Sequence, residues 1–142
     1  MEQTKTPLFE FLQQLECNSN GGNAVASASQ FADVFLAAGP NGAQPVKASD
    51  FALALPKRIQ VFASHGLKST SLQSLQETRL STRFVLADTR WKMNFVKDGG
   101  EEHVIAESVF IVDIGQDPFR IVFYLPKQDH MALLKSHEIL PV

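Results

Sequence analysis

The sequence has 142 residues, 13 Lys and Arg against 15 Asp and Glu, and 44% hydrophobic residues, which fits one domain spanning 1–142 and leaves no material for a second core. No apolar run approaches the roughly 18 to 20 residues of a bilayer-spanning helix, and the start Met1-Glu2-Gln3-Thr4-Lys5 lacks the apolar stretch of a signal peptide, so neither a membrane nor export is expected. With a net charge of -2 and bases scattered from Lys5 to Lys135, no basic stripe exists to neutralise a row of phosphates, and nucleic acid is not an expected partner.

Pro7 suits a helix start, and Leu8, Phe11, Leu12 and Leu15 follow at spacings of three and four, so the pattern predicts an amphipathic helix over about 7–17. Asn18-Ser19-Asn20-Gly21-Gly22 ends it. Over 24–38 a helix to Ala38 and a strand from about 30 are both compatible with Phe31-Ala32-Asp33-Val34-Phe35-Leu36. Gly39-Pro40-Asn41-Gly42 is a turn, because Pro fixes φ and Asn-Gly tolerates φ > 0. Ser49 is the expected N-cap of a middle helix whose apolar face holds Phe51, Leu55, Ile59 and Phe62, with Gly66 as its stop. Pro56 removes a donor inside that pattern and predicts a kink, or a short helix followed by a second. In 69–81, Leu72, Leu75 and Leu80 with a Thr70/Gln73 capping box read locally as helix, with a strand over 69–79 as the rival.

From 83 the period changes from 3.6 to 2. Val85, Ala87, Thr89, Trp91, Met93 and Phe95 form one face of a strand over 83–96, opposite Asp88, Arg90, Lys92 and Asn94. After Asp98-Gly99-Gly100-Glu101, a second strand over about 103–114 has the even face Val104, Ala106, Ser108, Phe110, Val112 and Ile114. Gly115-Gln116-Asp117-Pro118 turns into a last strand with Phe119, Ile121, Phe123 and Leu125 expected inward and Arg120, Val122 and Tyr124 outward. Three strands joined by short turns form an antiparallel meander. A short helix over 129–138, with Met131, Leu133 and Leu134, is expected to close the chain.

The order of these elements resembles the nuclear-transport-factor-2-like superfamily, the cone-shaped fold that includes SnoaL-like domains and ketosteroid isomerase. Phe31-Ala32-Asp33-Val34 is similar to the segment that follows the first helices of SnoaL-like proteins, and Arg90-Trp91-Lys92-Met93 to their long central strand. The resemblance implies an α+β, cystatin-like roll in which a curved, mostly antiparallel sheet wraps the N-terminal and middle helices and encloses an apolar pocket. It makes 69–79 a strand and implies dimers through the outer sheet face. Isomerase members use a carboxylate base with a Tyr and a protonated Asp as donors; no Tyr lies in the first helix here, and no catalytic residue is carried over.

Cys17 is the only cysteine, so an internal disulfide and a thiolate-rich zinc site are excluded by count and the cytoplasm is the expected compartment. Eleven Phe against one Tyr and one Trp make a dry interior, which is either a filled Phe core or in part the lining of an apolar cavity. No two of His65, His103, His130 and His137 stand at ligand spacing, and neither a phosphate-cradling glycine motif nor a Gly-x-Ser-x-Gly elbow occurs, so no metal or cofactor is expected. Asp33 sits between Phe31 and Phe35, where desolvation raises a carboxyl pKa and suits a general acid or base. The rival reading has it hydrogen-bonding backbone or facing water.

The expected pocket is lined by Phe35, Phe62, Trp91, Met93, Phe110 and Phe123, with Asp33, Thr89 or Ser108 as polar contacts. Ile105, Val109, Ile111, Val122 and Tyr124 have the opposite parity, and such an apolar patch predicts a homodimer. A small-hydrophobic-molecule binding domain is the leading expectation because no catalytic pair is visible. An isomerase, dehydratase or cyclase acting on a hydrophobic carbonyl compound through Asp33 is second, and a purely structural dimer module third.

Overall fold

Thr6 starts the first helix: its hydroxyl accepts from Phe9 N at 3.1 Å, and Pro7 takes the position where a missing N–H costs nothing. In the computed structural model, which describes residues 5–128, α1 (Pro7–Asn20) is followed by α2 (Ala24–Ser29), β1 (Phe31–Gly39), β2 (Gly42–Lys47), α3 (Ala48–Ser64), β3 (Leu67–Arg79), β4 (Phe84–Lys97), β5 (Gly100–Asp113) and β6 (Arg120–Pro126). The six strands form one mixed, open, curved sheet in the order β2-β1-β6-β5-β4-β3. Only the β1–β6 pair is parallel, so the α+β, mostly antiparallel expectation describes the architecture. The expected closing helix over 129–138 lies outside the described residues.

Both readings of 24–38 contain part of the answer. Asn23 caps α2 by accepting from Ala26 N at 3.1 Å, and the chain turns extended at Phe31. β2 went unforeseen because Gly42-Ala43-Gln44-Pro45-Val46-Lys47 has no alternation; it is an edge strand, where Pro45 costs no ladder bond. That strand also moves the start of α3. Lys47 pairs with Val34 and serves as the cap without a side-chain bond, which puts Ser49 inside the helix rather than at its cap. α3 runs through Pro56 as one helix, so of the two alternatives at that proline the pair of short helices is excluded.

Residues 67–79 are a strand, and the helix-like spacing of Leu72 and Leu75 has a specific cause. Leu72 pairs with Trp91 and Ser74 with Arg90, so Gln73 is an extra residue that lets two leucines three apart face the same side. As an edge strand, β3 has unpaired backbone groups that α1 covers. Asn20 exchanges two hydrogen bonds with the Thr70 backbone at 2.9 and 2.8 Å, and Leu72 N donates to Glu16 Oε1 at 2.6 Å.

The β4 and β5 faces are as expected: Val85, Ala87, Thr89, Trp91, Met93, Phe95, Val104, Ala106, Ser108, Phe110 and Val112 are all buried. β6 corrects the expected parity. Val112 pairs with Ile121 but Ile111 pairs with Phe123, so Val122 is an inserted residue and everything after it changes side. Tyr124 therefore packs inward, stacked on Phe110 with ring centroids 5.2 Å apart, while Phe123 pairs with outward-facing Ile111.

Candidate functional site

The core is built as two clusters, one holding Leu12, Phe31, Trp91 and Phe110, the other Phe62, Met93, Phe95 and Ala106. A cavity of about 300 Å³ has walls drawn from both, which is why the aromatic interior is not continuous. Helix α3 supplies Phe51, Leu55, Arg58, Ile59 and Phe62 along a single stripe, following the 3.6-residue period. The facing wall is sheet: Trp91 and Met93 from β4, Ala106, Ser108 and Phe110 from β5, Tyr124 from β6. Phe31, Leu15 and Glu16 close one side, and Leu67 to Thr70 of β3 another.

Polar groups in and beside the wall are unequal in availability. Thr89 is fully buried with its hydroxyl committed, donating to Ser108 O at 2.7 Å and accepting from Trp91 Nε1 at 2.7 Å. Ser27 of α2 is 4% exposed, lies in the wall, and its hydroxyl has no hydrogen-bond partner among the described residues. Arg58 holds its guanidinium 5.4 Å from the Phe62 ring centroid, and Lys68 stands on the neighbouring strand.

A perturbed carboxyl lies elsewhere. Asp113, at the end of β5, accepts two 2.8 Å bonds from Arg83, plus one each from Gly115 N and Gln116 Nε2. Arg83 hydrogen bonding holds this carboxyl below the ordinary aspartate range against the opposing effect of burial. The bonds fix the turn at 115–116, a structural task, since neither Asp113 nor Arg83 lines the cavity.

The structure thus gathers five of the nine expected site residues, Phe62, Trp91, Met93, Ser108 and Phe110, around one space. Phe35 is instead packed behind the wall, its ring 4.6 Å from Phe31 and 5.4 Å from Phe51. Thr89 is sealed beneath Trp91, and Phe123 lies on the other sheet face. Asp33 is exposed on β1 and outside the cavity, so the desolvation on which its acid–base reading rested is missing. Phe51, Leu55 and Ile59 carried a readable signal in their helical spacing. Tyr124 carried none, because nothing in the sequence marks the extra residue in β6. Among the described residues no group of three or more metal-ligating side chains gathers, and no helix is long and apolar enough to cross a membrane.

The arrangement of helices and curved sheet has counterparts among solved structures. A protein of unknown function from Shewanella oneidensis MR-1 superposes with a TM-score of 0.68 at 14% identity, over 84% of this chain and 95% of that one. A cystatin-like protein from Novosphingobium aromaticivorans does so with a TM-score of 0.70 at 12% identity, over 96% and 88% of the two chains. Both are NTF2-like proteins. The fold is the NTF2-like one. A protein from Shewanella frigidimarina NCIMB 400 proposed to be a ketosteroid isomerase shares this NTF2-like fold, with a TM-score of 0.66, 10% identity and 86% and 95% coverage. No family model and no curated protein matches the sequence.

Proposed function

We propose that the protein binds a small, largely apolar molecule in the cavity between α3 and the sheet. The observation that carries this reading is the space itself: about 300 Å³ left open between two well-packed clusters and walled by Phe31, Phe62, Trp91, Met93, Phe110 and Tyr124. Interiors normally pack to crystal-like density, and a void of this size forfeits contacts along its whole lining, so an occupant is its simplest physical account. At the volume of a water molecule in the liquid, the space takes about ten non-hydrogen atoms. Trp91 is the one tryptophan and stands in the wall, so its emission reports occupancy. Hydrophobic carbonyl compounds of that size should change the emission saturably, and a response that only rises linearly with concentration sinks the reading.

The outer sheet face supports a second proposal, a homodimer. Ile105, Val109, Ile111, Val122, Phe123 and Leu125 are all half-buried apolar residues outside both core clusters, and an apolar patch on an extended sheet face is complementary to a second copy of itself. Phe123 and Leu125 replace Tyr124, whose ring belongs to the interior.

A further inference from the structure

We propose that the occupant of the cavity is an amphipathic anion, with its apolar body against the aromatic wall and a carboxylate head between Arg58 and Lys68. This rests on the reading of the cavity as a ligand site and deepens it.

Among the described residues the charged members of the wall are Arg58, Lys68 and Glu16. Glu16 already accepts from Leu72 N at 2.6 Å, a bond that ties α1 to the edge of β3. The two cations are placed by separate devices. Arg58 is one turn before Phe62 on the cavity-facing stripe of α3, and its guanidinium lies over that ring, whose own edge is buried wall. Lys68 is an inserted residue: Leu67 pairs with Phe95 and Ser69 with Asn94, so the bulge breaks the alternation and brings Lys68 into the lining beside both neighbours. A chain of net charge -2 thus places two cations in the lining of its apolar cavity.

Both cations are exposed, which fixes the orientation of the ligand. A carboxylate driven to the inner end of an apolar cavity loses its hydration without compensation, whereas one held at the mouth keeps water and gains charge-assisted hydrogen bonds. The ligand's apolar end then occupies the space beside Trp91 and Phe110.

The test uses the full chain and two probes of equal size, 4-phenylbutanoate and 4-phenylbutanamide, titrated against Trp91 emission. The acid should bind at least about tenfold tighter than the amide, the worth of one charge-assisted contact. Its advantage should shrink when salt rises from about 0.02 M to about 0.3 M, as exposed cations are screened. Arg58→Gln with Lys68→Gln should bring the acid close to the amide while leaving the amide unchanged, and Lys68→Gln alone, at an exposed strand position, should give part of that loss in a protein of unaltered fold. Equal binding of acid and amide overturns the anion inference and leaves the cavity reading standing. Full acid preference in the double variant overturns the assignment to these two side chains. Failure of both probes to saturate overturns the cavity reading and this inference with it.

Discussion

The indole N–H of Trp91 donates to the hydroxyl of Thr89 at 2.7 Å, two residues back on the same face of β4, and that hydroxyl donates onward to Ser108 O at 2.7 Å. This chain of bonds fixes the indole, which lines the cavity, against the sheet. It also explains how a polar pair sits in a wall of aromatic carbon: every donor in it is used, so neither group costs its desolvation penalty. Thr89→Val keeps the shape and removes the acceptor. It should destabilise the protein by about 1–3 kcal/mol, the cost of orphaning a buried donor, and denaturant titration measures it. The native emission of Trp91 should be blue-shifted from that of the unfolded chain, because the residue is only 8% exposed.

Gly66 and Gly22 separate conformational strain from steric conflict. Both have positive φ, +98° and +68°, but a Cβ at Gly66 meets Val96 O at 2.2 Å, while one at Gly22 meets nothing within 4 Å. Gly66 O also accepts from Val96 N at 2.8 Å, so the clash falls on the bond that docks the end of α3 onto β4. Gly22→Ala should cost about 1–2 kcal/mol, the backbone penalty alone, and Gly66→Ala at least about 2 kcal/mol more, since the obstacle is backbone that cannot swing aside. Equal losses in urea denaturation contradict this.

The Asp113 carboxyl, held below its ordinary range by Arg83, makes part of the stability depend on acid. Its contribution is full above the unfolded aspartate pKa of about 3.9 and is lost as pH falls through the lower folded value, because only there must the folded state take up the proton. Asp113→Asn should therefore melt earlier than the native protein at neutral pH, and the gap should close as pH drops below about 4. A gap that stays constant from neutral to acid pH rules out the ion pair as its source.

The inserted residue in β6 makes opposite predictions for two adjacent aromatics. Phe123 pairs with Ile111 on the outer face, and Tyr124 stacks on Phe110 at 5.2 Å inside. Phe123→Glu should convert the proposed dimer to monomer in sedimentation without loss of fold, since a charge at the centre of an apolar contact is left unpaired. Tyr124→Phe should leave the assembly intact and alter the cavity response of Trp91 instead. Dimers that survive Phe123→Glu place the contact elsewhere.

The sequence alone determined whatever depends on local period and turn chemistry. Alternation in 84–97 and 100–113 marked the inward faces of β4 and β5, and the spacing of Phe51, Leu55, Ile59 and Phe62 marked the stripe of α3 that walls the cavity. These signals are legible because burying one face forces its residues to be apolar at the period of the element. The tertiary structure decided the rest, at positions where a partner strand sets the register. Leu72 and Leu75 look helical until β4 supplies the pairing that leaves Gln73 over, and Tyr124 looks outward until Val122 proves to be the extra residue against β5. Asp33 shares strand parity with Phe31 and Phe35 and so looks enclosed with them, yet the register of β1 against β6 shifts between Phe31 and Leu36, and within that irregular stretch Asp33 is exposed. An inserted residue carries no chemical mark, because it is defined by a mismatch with another strand and by nothing in its own side chain.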